Sequence, residues 1–251
     1  MSTSPIVSII APAHNAAPFF AAWLKSIRAQ EYECIEVLLV DDGSTDDLAI
    51  LAAQAPPFLR YSRQDHRGPA AARNAAIRSA SGDLIAFLDL DDLWAPEHLR
   101  RCTRELDRNP AAGIAQGLIR NTCEGCYCSE PYRFINLGAG VFRRWVFDRC
   151  GLLDETLRFA EDFDFMTRCW DYGILKLDIE EVSLLYHRHV GNMTRGLSNV
   201  DLGAVRVYKR RLDRVRAGQV DLEAARGLKI GFPQYIGCPI IPHDQGLREP
   251  I

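Results

Sequence analysis

The sequence lacks the features of a membrane-spanning chain and of a secreted one. No segment approaches the roughly 20 uninterrupted apolar residues that a helix needs to cross a bilayer. The first five residues are short and polar, and they have neither the basic nor the apolar region of a signal peptide. We therefore expect a cytoplasmic protein, with contact at the inner face of a membrane left open.

The chain also lacks an excess of charge of one sign, internal repeats and low-complexity linkers. Its formal net charge is −3, so no basic field indicates nucleic acid as a partner. The 251 residues fit one large α/β domain, with or without a short appendage.

Cysteine, in contrast, is plentiful, with eight residues. In a cytoplasmic α/β protein we expect reduced thiols rather than a disulfide framework. Cys123, Cys126 and Cys128 could offer three ligands to zinc, but a structural zinc takes four and no second paired motif occurs. We favour reduced loop thiols.

Residues 1–110 alternate apolar strands with helices. The predicted strands cover 6–10, 35–40, 58–61 and 84–88, and the predicted helices cover 20–27, 46–54, 69–80 and 96–108. This alternation predicts a parallel, doubly wound sheet with helices on both faces.

The second half is less regular. A strand over 113–119, a cysteine-rich loop over 121–133, a turn at 137–140 and helices over 143–149 and 162–172 precede a short strand at 184–187. A basic amphipathic helix over 200–217 is followed by an irregular tail. We expect the basic residues to form a solvated face, with anionic lipid as the less favoured partner.

Polar side chains follow three of the predicted strands. His14 and Asn15 follow the first, Asp41 and Asp42 the second, and Asp89 and Asp91 the fourth. Ligands of such sheets bind beyond the carboxyl ends of the strands. The sequence therefore predicts a polar site at this edge.

Among these residues, Asp89 and Asp91 give the most specific indication of function, a metal site. Carboxylates bind Mg²⁺ or Mn²⁺ together with phosphate oxygens, and such a cation offsets charge growing on a departing diphosphate. The alternative interpretation is an acidic helix cap.

Asp42 could accept hydrogen bonds from a ribose or a base, or be part of an ordinary turn. Arg73 could fork onto phosphates, or be a surface arginine.

Two further groups lie in the second half. Asp162, after Glu161, opens a predicted helix, where a carboxylate is either a cap or a general base. His187 and His189 share one face of a strand and could complete a metal site, contact phosphate or be structural.

Five segments in order resemble a family 2 glycosyltransferase. They are VSIIAPAHN (7–15), EVLLVDDGSTDD (36–47), GPAAARNAAIRSASGDLIAFLDLDD (68–92), CGLLDETLRFAEDFDFMTRCWDYG (150–173) and YHRHVGNMT (186–194). The resemblance implies an α/β fold of the nucleotide-diphospho-sugar transferase (GT-A) type, whose mixed, mostly parallel sheet has helices on both faces. It implies a transferase domain over 1–199, with a nucleotide-sugar half (1–110) and an acceptor half (111–199), and a C-terminal helix and tail over 200–251.

The resemblance also implies roles for single residues. Pro12 and His14 would line the nucleobase site, and Asn15 would belong to the same nucleotide loop. Asp42 would bind uracil or ribose, Arg73 would lie near the donor phosphates, and Asp89 would contact sugar or ribose. Asp91 would bind the metal, His189 would face the metal and diphosphate, Glu161 would support the acceptor, and Asp162 would be the catalytic base.

Taken together, the residues predict an inverting, metal-dependent transferase that moves a hexose from a nucleotide-diphosphate donor, most simply a UDP-sugar, to a hydroxyl of a glycan or glycolipid. The cofactor would be Mn²⁺ or Mg²⁺. The alternatives are a sugar nucleotidyltransferase and an inactive nucleotide- or glycan-binding module. The tail could cover the acceptor cleft, form a homodimer contact or touch a membrane.

Overall fold

The fold is built on four parallel strands, and the three that lie inside the sheet bury apolar side chains on both faces, whereas the edge strand is largely exposed. The four strands are β1 (Val7–Ala13), β2 (Ile35–Asp42), β3 (Leu59–Gln64) and β4 (Leu84–Phe87), in the spatial order β4-β1-β2-β3. Every residue of β1 is buried, as expected for a central strand covered by helices on both sides. This computed structural model describes residues 4–192, 203–237 and 249–250.

The remaining strands make the sheet mixed. They are β5 (Leu93–Trp94), β6 (Ala112–Cys123), β7 (Cys126–Tyr127), β8 (Gly140–Arg143), β9 (Leu175–His187) and β10 (Glu249–Pro250). β8 lies antiparallel between β4 and β6, and β9 runs parallel to β6. The mixed α/β fold implied by the resemblance is thus confirmed.

Helices cover both faces of this sheet. They are α1 (Phe20–Arg28), α2 (Leu48–Ala53), α3 (Pro69–Ser79), α4 (His98–Arg108), α5 (Arg144–Cys150), α6 (Glu161–Asp171), α7 (Ala204–Arg216), α8 (Leu222–Gly227) and α9 (Phe232–Ile236). Side chains of α1, α2 and α4 belong to one core, and those of α3, α5, α6 and α9 to the other. Ile9 and Ile10 point into opposite cores because successive strand residues alternate faces.

Two predictions for the second half were wrong in extent. The strand predicted over 184–187 is the end of the 13-residue β9, whose earlier part carries exposed residues such as Glu180 and Glu181 and so lacks a continuous apolar pattern. The turn predicted at 137–140 is present as one turn of 3-10 helix over Leu137–Ala139, and it leads into β8. The tail is not irregular throughout, since α9 buries Tyr235, whose hydroxyl donates to the Ile174 carbonyl at 2.9 Å.

The two predicted halves share one sheet. β8 pairs with β4 of the first half and with β6 of the second, so the boundary at residue 110 does not separate the strands. The division into a nucleotide-sugar half and an acceptor half stays a prediction. The predicted helix start at 200 lies outside the described residues, and α7 begins at Ala204.

Among the described residues, no helix combines the length and the hydropathy needed to span a bilayer.

Trp23 connects α1 to the strand that leads into the acidic turn. Its side chain is fully buried, and its indole N–H donates to the Leu88 carbonyl at 3.2 Å. We expect Trp23→Ala to lower the free energy of unfolding by about 3–5 kcal/mol, measured by urea denaturation. Arg28→Ala, at an exposed position of the same helix, should change it by less than about 0.5 kcal/mol. Equal effects of the two substitutions would contradict this packing.

Candidate active site

The loops after β1 and β2 are joined by hydrogen bonds through Asn15. Its amide N–H donates to the Ser44 hydroxyl at 2.9 Å, and its side-chain oxygen accepts from the Thr45 amide at 2.8 Å. Asn15 has a positive φ of 52°, a conformation that asparagine tolerates better than most residues. Asn15 therefore holds the two predicted nucleotide loops together. Pro12, in contrast, is buried within β1 opposite Val40.

The carboxylate of Asp42 is engaged by the protein itself. Its two oxygens accept from the Gln64 side chain at 2.7 Å and from the amides of Arg67 and Gly68 at 2.8 and 2.7 Å. These bonds fix the segment between β3 and α3. A contact of Asp42 with base or ribose, which stays a prediction, would have to share these acceptor sites.

Two histidines form an exposed wall beside Asp42. The rings of His14 and His66 lie 4.3 Å apart between centroids, and the Nδ1 atom of each is 2.9–3.0 Å from the Asp42 carbonyl oxygen. Because that oxygen only accepts, each Nδ1 carries a proton and each Nε2 can accept a hydrogen bond. The sequence predicted His14 but missed His66, which no motif singles out.

Asp41 has a structural role in the same turn. It is fully buried and accepts from the Tyr61 hydroxyl at 2.6 Å, the Ser44 amide at 2.7 Å and the Arg63 guanidinium at 2.8 Å. Burial opposes ionisation, but the hydrogen bonds from Tyr61 and Ser44 together with the Arg63 charge hold the pKa of Asp41 below its usual value. Its ionised carboxylate braces the turn that presents Asp42.

Arg73 links the start of α6 to the acidic turn after β4. One Nη atom donates to Glu161 at 2.6 Å, and the other donates to both oxygens of Asp89 at 2.7 and 2.8 Å. The guanidinium is buried, and its Nε has no hydrogen-bond partner among the described residues. Burial alone would lower the pKa of Arg73, but Asp89 and Glu161 raise it above the usual value. Contact with donor phosphates stays a prediction.

Asp91 and His189, the two residues predicted to hold the metal, lie next to each other, while metal binding itself stays a prediction. His189 Nε2 lies 3.1 Å from an Asp91 oxygen, and His189 Nδ1 accepts from the Gly191 amide at 3.1 Å. That second bond places the proton of a neutral ring on Nε2. In this arrangement His189 is therefore a donor to Asp91. Direct metal ligation through Nε2 would require the other tautomer, with the proton on Nδ1, and the hydrogen bond from Gly191 would be lost.

The protein side chains near Asp91 fit a metal ion whose remaining coordination positions are filled by substrate oxygens and water. Within the described ranges, no group of three or more His, Cys, Asp or Glu residues is arranged to hold a metal. Asp91 is partly exposed, and its pKa is raised by burial and by Asp89. Mg²⁺ is commonly held by one or two carboxylates together with substrate phosphates and water, and Asp91 suits that pattern.

Asp92 is a residue whose role the sequence did not reveal. It is buried and accepts from the His187 amide at 2.9 Å, so it attaches the end of β9 to the acidic turn. Burial and the charges of Asp91 and Asp89 raise its pKa well above the usual value. The third aspartate in Asp89-Leu90-Asp91-Asp92 was a signal that sequence reasoning could have used.

Asp162 lies in the first turn of α6, half-buried beside Glu161. One of its oxygens accepts from the Phe163 amide at 2.7 Å. Burial, followed by the Glu161 charge, raises the pKa of Asp162 to about 7, although Arg73 opposes the shift. A carboxyl group with this pKa exchanges a proton readily at neutral pH.

Several arginines of α7 bind carboxylates instead of forming a solvated face. Arg211 pairs with Asp171 at 2.8 Å, Arg214 with Asp164 at 3.0 Å, and Arg210 with Asp154. Only part of the expected face, including Arg206 and Lys209, is exposed. These pairs attach α7 to α6 and to the loop before it.

The cysteine-rich loop contains a tight hairpin. Cys123 and Cys126 face each other across a two-residue turn, Glu124-Gly125, in which both residues have positive φ. This is the geometry of a type I′ hairpin. All seven cysteines in the described ranges are free thiols.

The mixed sheet with helices on both faces is the GT-A type of fold, which occurs in nucleotide-sugar transferases. Solved structures of that class share the fold. The S. aureus TarS fragment 1–349 in complex with UDP-GlcNAc matches with a TM-score of 0.71 and 22% identity over 88% of this chain and 69% of that one. The mannosyltransferase PcManGT from Pyrobaculum calidifontis, in complex with GDP-Man and Mn²⁺, has a TM-score of 0.65 and 22% identity over 94% and 73%.

The family model for glycosyl transferase family 2 matches residues 8–171, and this chain belongs to that family. The uncharacterized glycosyltransferase EpsJ of Bacillus subtilis (strain 168) is 30% identical over 76% of this chain. The succinoglycan biosynthesis protein ExoO of Rhizobium meliloti (strain 1021) is 41% identical over 43%. The alignments span 63% of EpsJ and 31% of ExoO.

The raised pKa of Asp162 has a measurable effect on stability. An aspartate in the unfolded chain has a pKa of about 3.9, so between that pH and about 7 the folded state binds more protons at this position. Stability therefore falls in this window as pH rises. Because asparagine cannot ionise, the stability of Asp162→Asn relative to the wild type should increase from pH 4 to pH 7 and then level off, measured by urea unfolding at each pH.

The matched control is Asp148→Asn, at an exposed position of α5, which should show no such trend in this window. A constant difference between Asp162→Asn and the wild type across the window would contradict a raised pKa for Asp162.

Proposed function

We propose that this protein transfers a sugar from a nucleotide-diphosphate donor to an acceptor hydroxyl with inversion at the anomeric carbon. The observation that carries the proposal is the Arg73 bridge, which joins Glu161, the neighbour of Asp162, to Asp89, two residues before Asp91. The buried guanidinium of Arg73 thereby connects the segment of the candidate general base to the segment of the candidate diphosphate site. Membership of the family supports the same reaction class.

In the proposed reaction, Asp162 takes the proton of the acceptor hydroxyl as the oxygen attacks the anomeric carbon. Its pKa near 7 suits that task at neutral pH. The bond from the anomeric carbon to the diphosphate breaks as the new bond forms, through an oxocarbenium-like sugar. One displacement inverts the configuration. Glu161, held by Arg73, stays on the acceptor side.

The donor would bind along the edge formed by the carboxyl ends of β1, β2 and β4. His14, Asn15 and Asp42 would hold the nucleotide, and Asp89 would contact sugar or ribose. Asp91 would hold Mn²⁺ or Mg²⁺, which supplies positive charge against the departing diphosphate. His189, with its proton on Nε2, is oriented to donate to Asp91 or to a diphosphate oxygen. We take a UDP-sugar as the first donor to test, since TarS was crystallised with one.

We further propose that the acceptor is a hydroxyl of a glycan or glycolipid. ExoO is named for succinoglycan biosynthesis, and its similarity covers less than half of this chain. A lipid-linked acceptor would bring a cytoplasmic enzyme to the inner face of a membrane, and a homodimer is compatible with the same site.

The test begins with thermal stabilisation by a panel of nucleotide sugars with Mn²⁺, because a bound donor raises apparent stability. Transfer from the best donor is then measured by release of nucleoside diphosphate in the presence of glycan and glycolipid acceptors. We expect Asp162→Asn to lower kcat by about 10²- to 10⁴-fold with donor binding retained, and Asp91→Ala to abolish the metal-dependent part of donor binding.

Asp148→Asn is again the control and should transfer at the wild-type rate. Near-wild-type turnover of both Asp162→Asn and Asp91→Ala would exclude the proposed chemistry. Pyrophosphate release from a nucleoside triphosphate and a sugar phosphate would instead identify a nucleotidyltransferase, and donor binding without turnover would identify a binding module.

A further inference from the structure

The segment that leads to Asp162 has no regular secondary structure of its own. Residues 151–160 connect α5 to α6 without a helix or a strand, and the segment ends at Ala160 with a positive φ of 61°. Backbone hydrogen bonds of a helix or a sheet therefore do not fix its path. Its position must come from contacts with neighbouring side chains.

Asn74 of α3 binds the start of this segment through its backbone. Its side-chain oxygen accepts from the Leu153 amide at 3.0 Å, and its side-chain nitrogen donates to the Leu153 carbonyl at 2.9 Å and to Glu155 at 2.9 Å. A carboxamide is suited to this pairing because it offers a donor and an acceptor from one planar group. Asn74 is 1% exposed, so water does not compete for these bonds.

Arg73, the preceding residue of the same helix, binds the end of the segment through Glu161 and binds the acidic turn through Asp89. Two consecutive side chains of α3 thus hold both ends of the segment. The helix is itself held firmly, because Ala72, Ala76 and Ile77 are packed in the core. Both Nη atoms of Arg73 are engaged, which favours a positioning role over direct contact with donor phosphates.

We propose that Asn74 and Arg73 are positioning residues that set the distance between the Asp162 carboxylate and the acidic turn at Asp89–Asp91. This inference rests on the proposed function, in which Asp162 takes the acceptor proton. A displacement of about 1 Å in a catalytic group can lower the rate by roughly 10²-fold. Asn74 contacts none of the residues predicted to bind the donor, so its removal should affect turnover and not donor affinity.

The test uses Asn74→Ala in the full chain. We expect kcat to fall by about 10- to 100-fold, while KM for the donor and the Kd of UDP with Mn²⁺, measured by calorimetry, change by less than about twofold. Asn74→Asp, which keeps the acceptor but loses both donated bonds and places a charge near Glu155, should behave in the same way if the alanine variant fails to fold.

Arg78→Ala is the matched control on α3. Arg78 also reaches Glu155, but at 3.7 Å and from a largely exposed side chain, so its loss should leave kcat unchanged. An unchanged kcat in Asn74→Ala, or a raised donor KM with kcat retained, would overturn the proposal.

Amide hydrogen exchange separates this inference from the proposed function. In Asn74→Ala we expect faster exchange at the amide of Leu153 and in the first turn of α6, with the amides of β1 unaffected. If Asn74→Ala shows this faster exchange and the wild-type protein transfers no sugar, the positioning role is correct and the proposed reaction is wrong. Unchanged exchange in a folded variant would overturn the positioning role itself.

Discussion

The site depends on one buried cation placed between two carboxylates from distant parts of the chain. Arg73 donates to Asp89 after β4 and to Glu161 at the start of α6, although 72 residues separate those two positions in the sequence. Arg73 and Glu161 are both buried, and removing one partner of such a pair commonly costs about 3–5 kcal/mol because the remaining charge is left uncompensated. Asp89 is partly exposed, so its pair with Arg73 contributes less. The arrangement is therefore held most strongly through the pair with Glu161, and it brings together two segments that would repel each other without the arginine between them.

This constraint explains the electrostatics of the neighbouring acids. Asp162 lies next to Glu161 in a half-buried turn, and its pKa of about 7 reflects burial and the adjacent charge, with Arg73 limiting the shift. Asp91 and Asp92 experience a similar environment on the other side, where burial raises the pKa of each. The protein keeps several acidic groups close enough together to raise one another's pKa.

Sequence reasoning predicted the elements of the first half well because apolar strands buried on both faces and an alanine-rich helix carry strong local signals. It predicted β9 poorly because that strand exposes the consecutive residues Glu180 and Glu181, which interrupts the apolar pattern. It singled out Arg73 and predicted a phosphate contact, which stays a prediction, and it missed the two carboxylates because no local pattern shows that both Nη atoms reach them. The arginines of α7 were interpreted as solvated for the same reason, because their partners on α6 and the loop before it are far away in the sequence.

The amino-acid sequence by itself determined the class of fold, the family and the positions of the acidic residues that follow the strands, because these depend on local periodicity and on motifs of adjacent residues. Only the tertiary structure decided which charges meet. It showed that Asn74 holds Leu153, that Asp92 holds the end of β9, and that His66 stands beside His14. Such contacts depend on how the helices pack across the sheet, and the energy of a buried hydrogen bond or ion pair is set by neighbours that no short stretch of sequence contains.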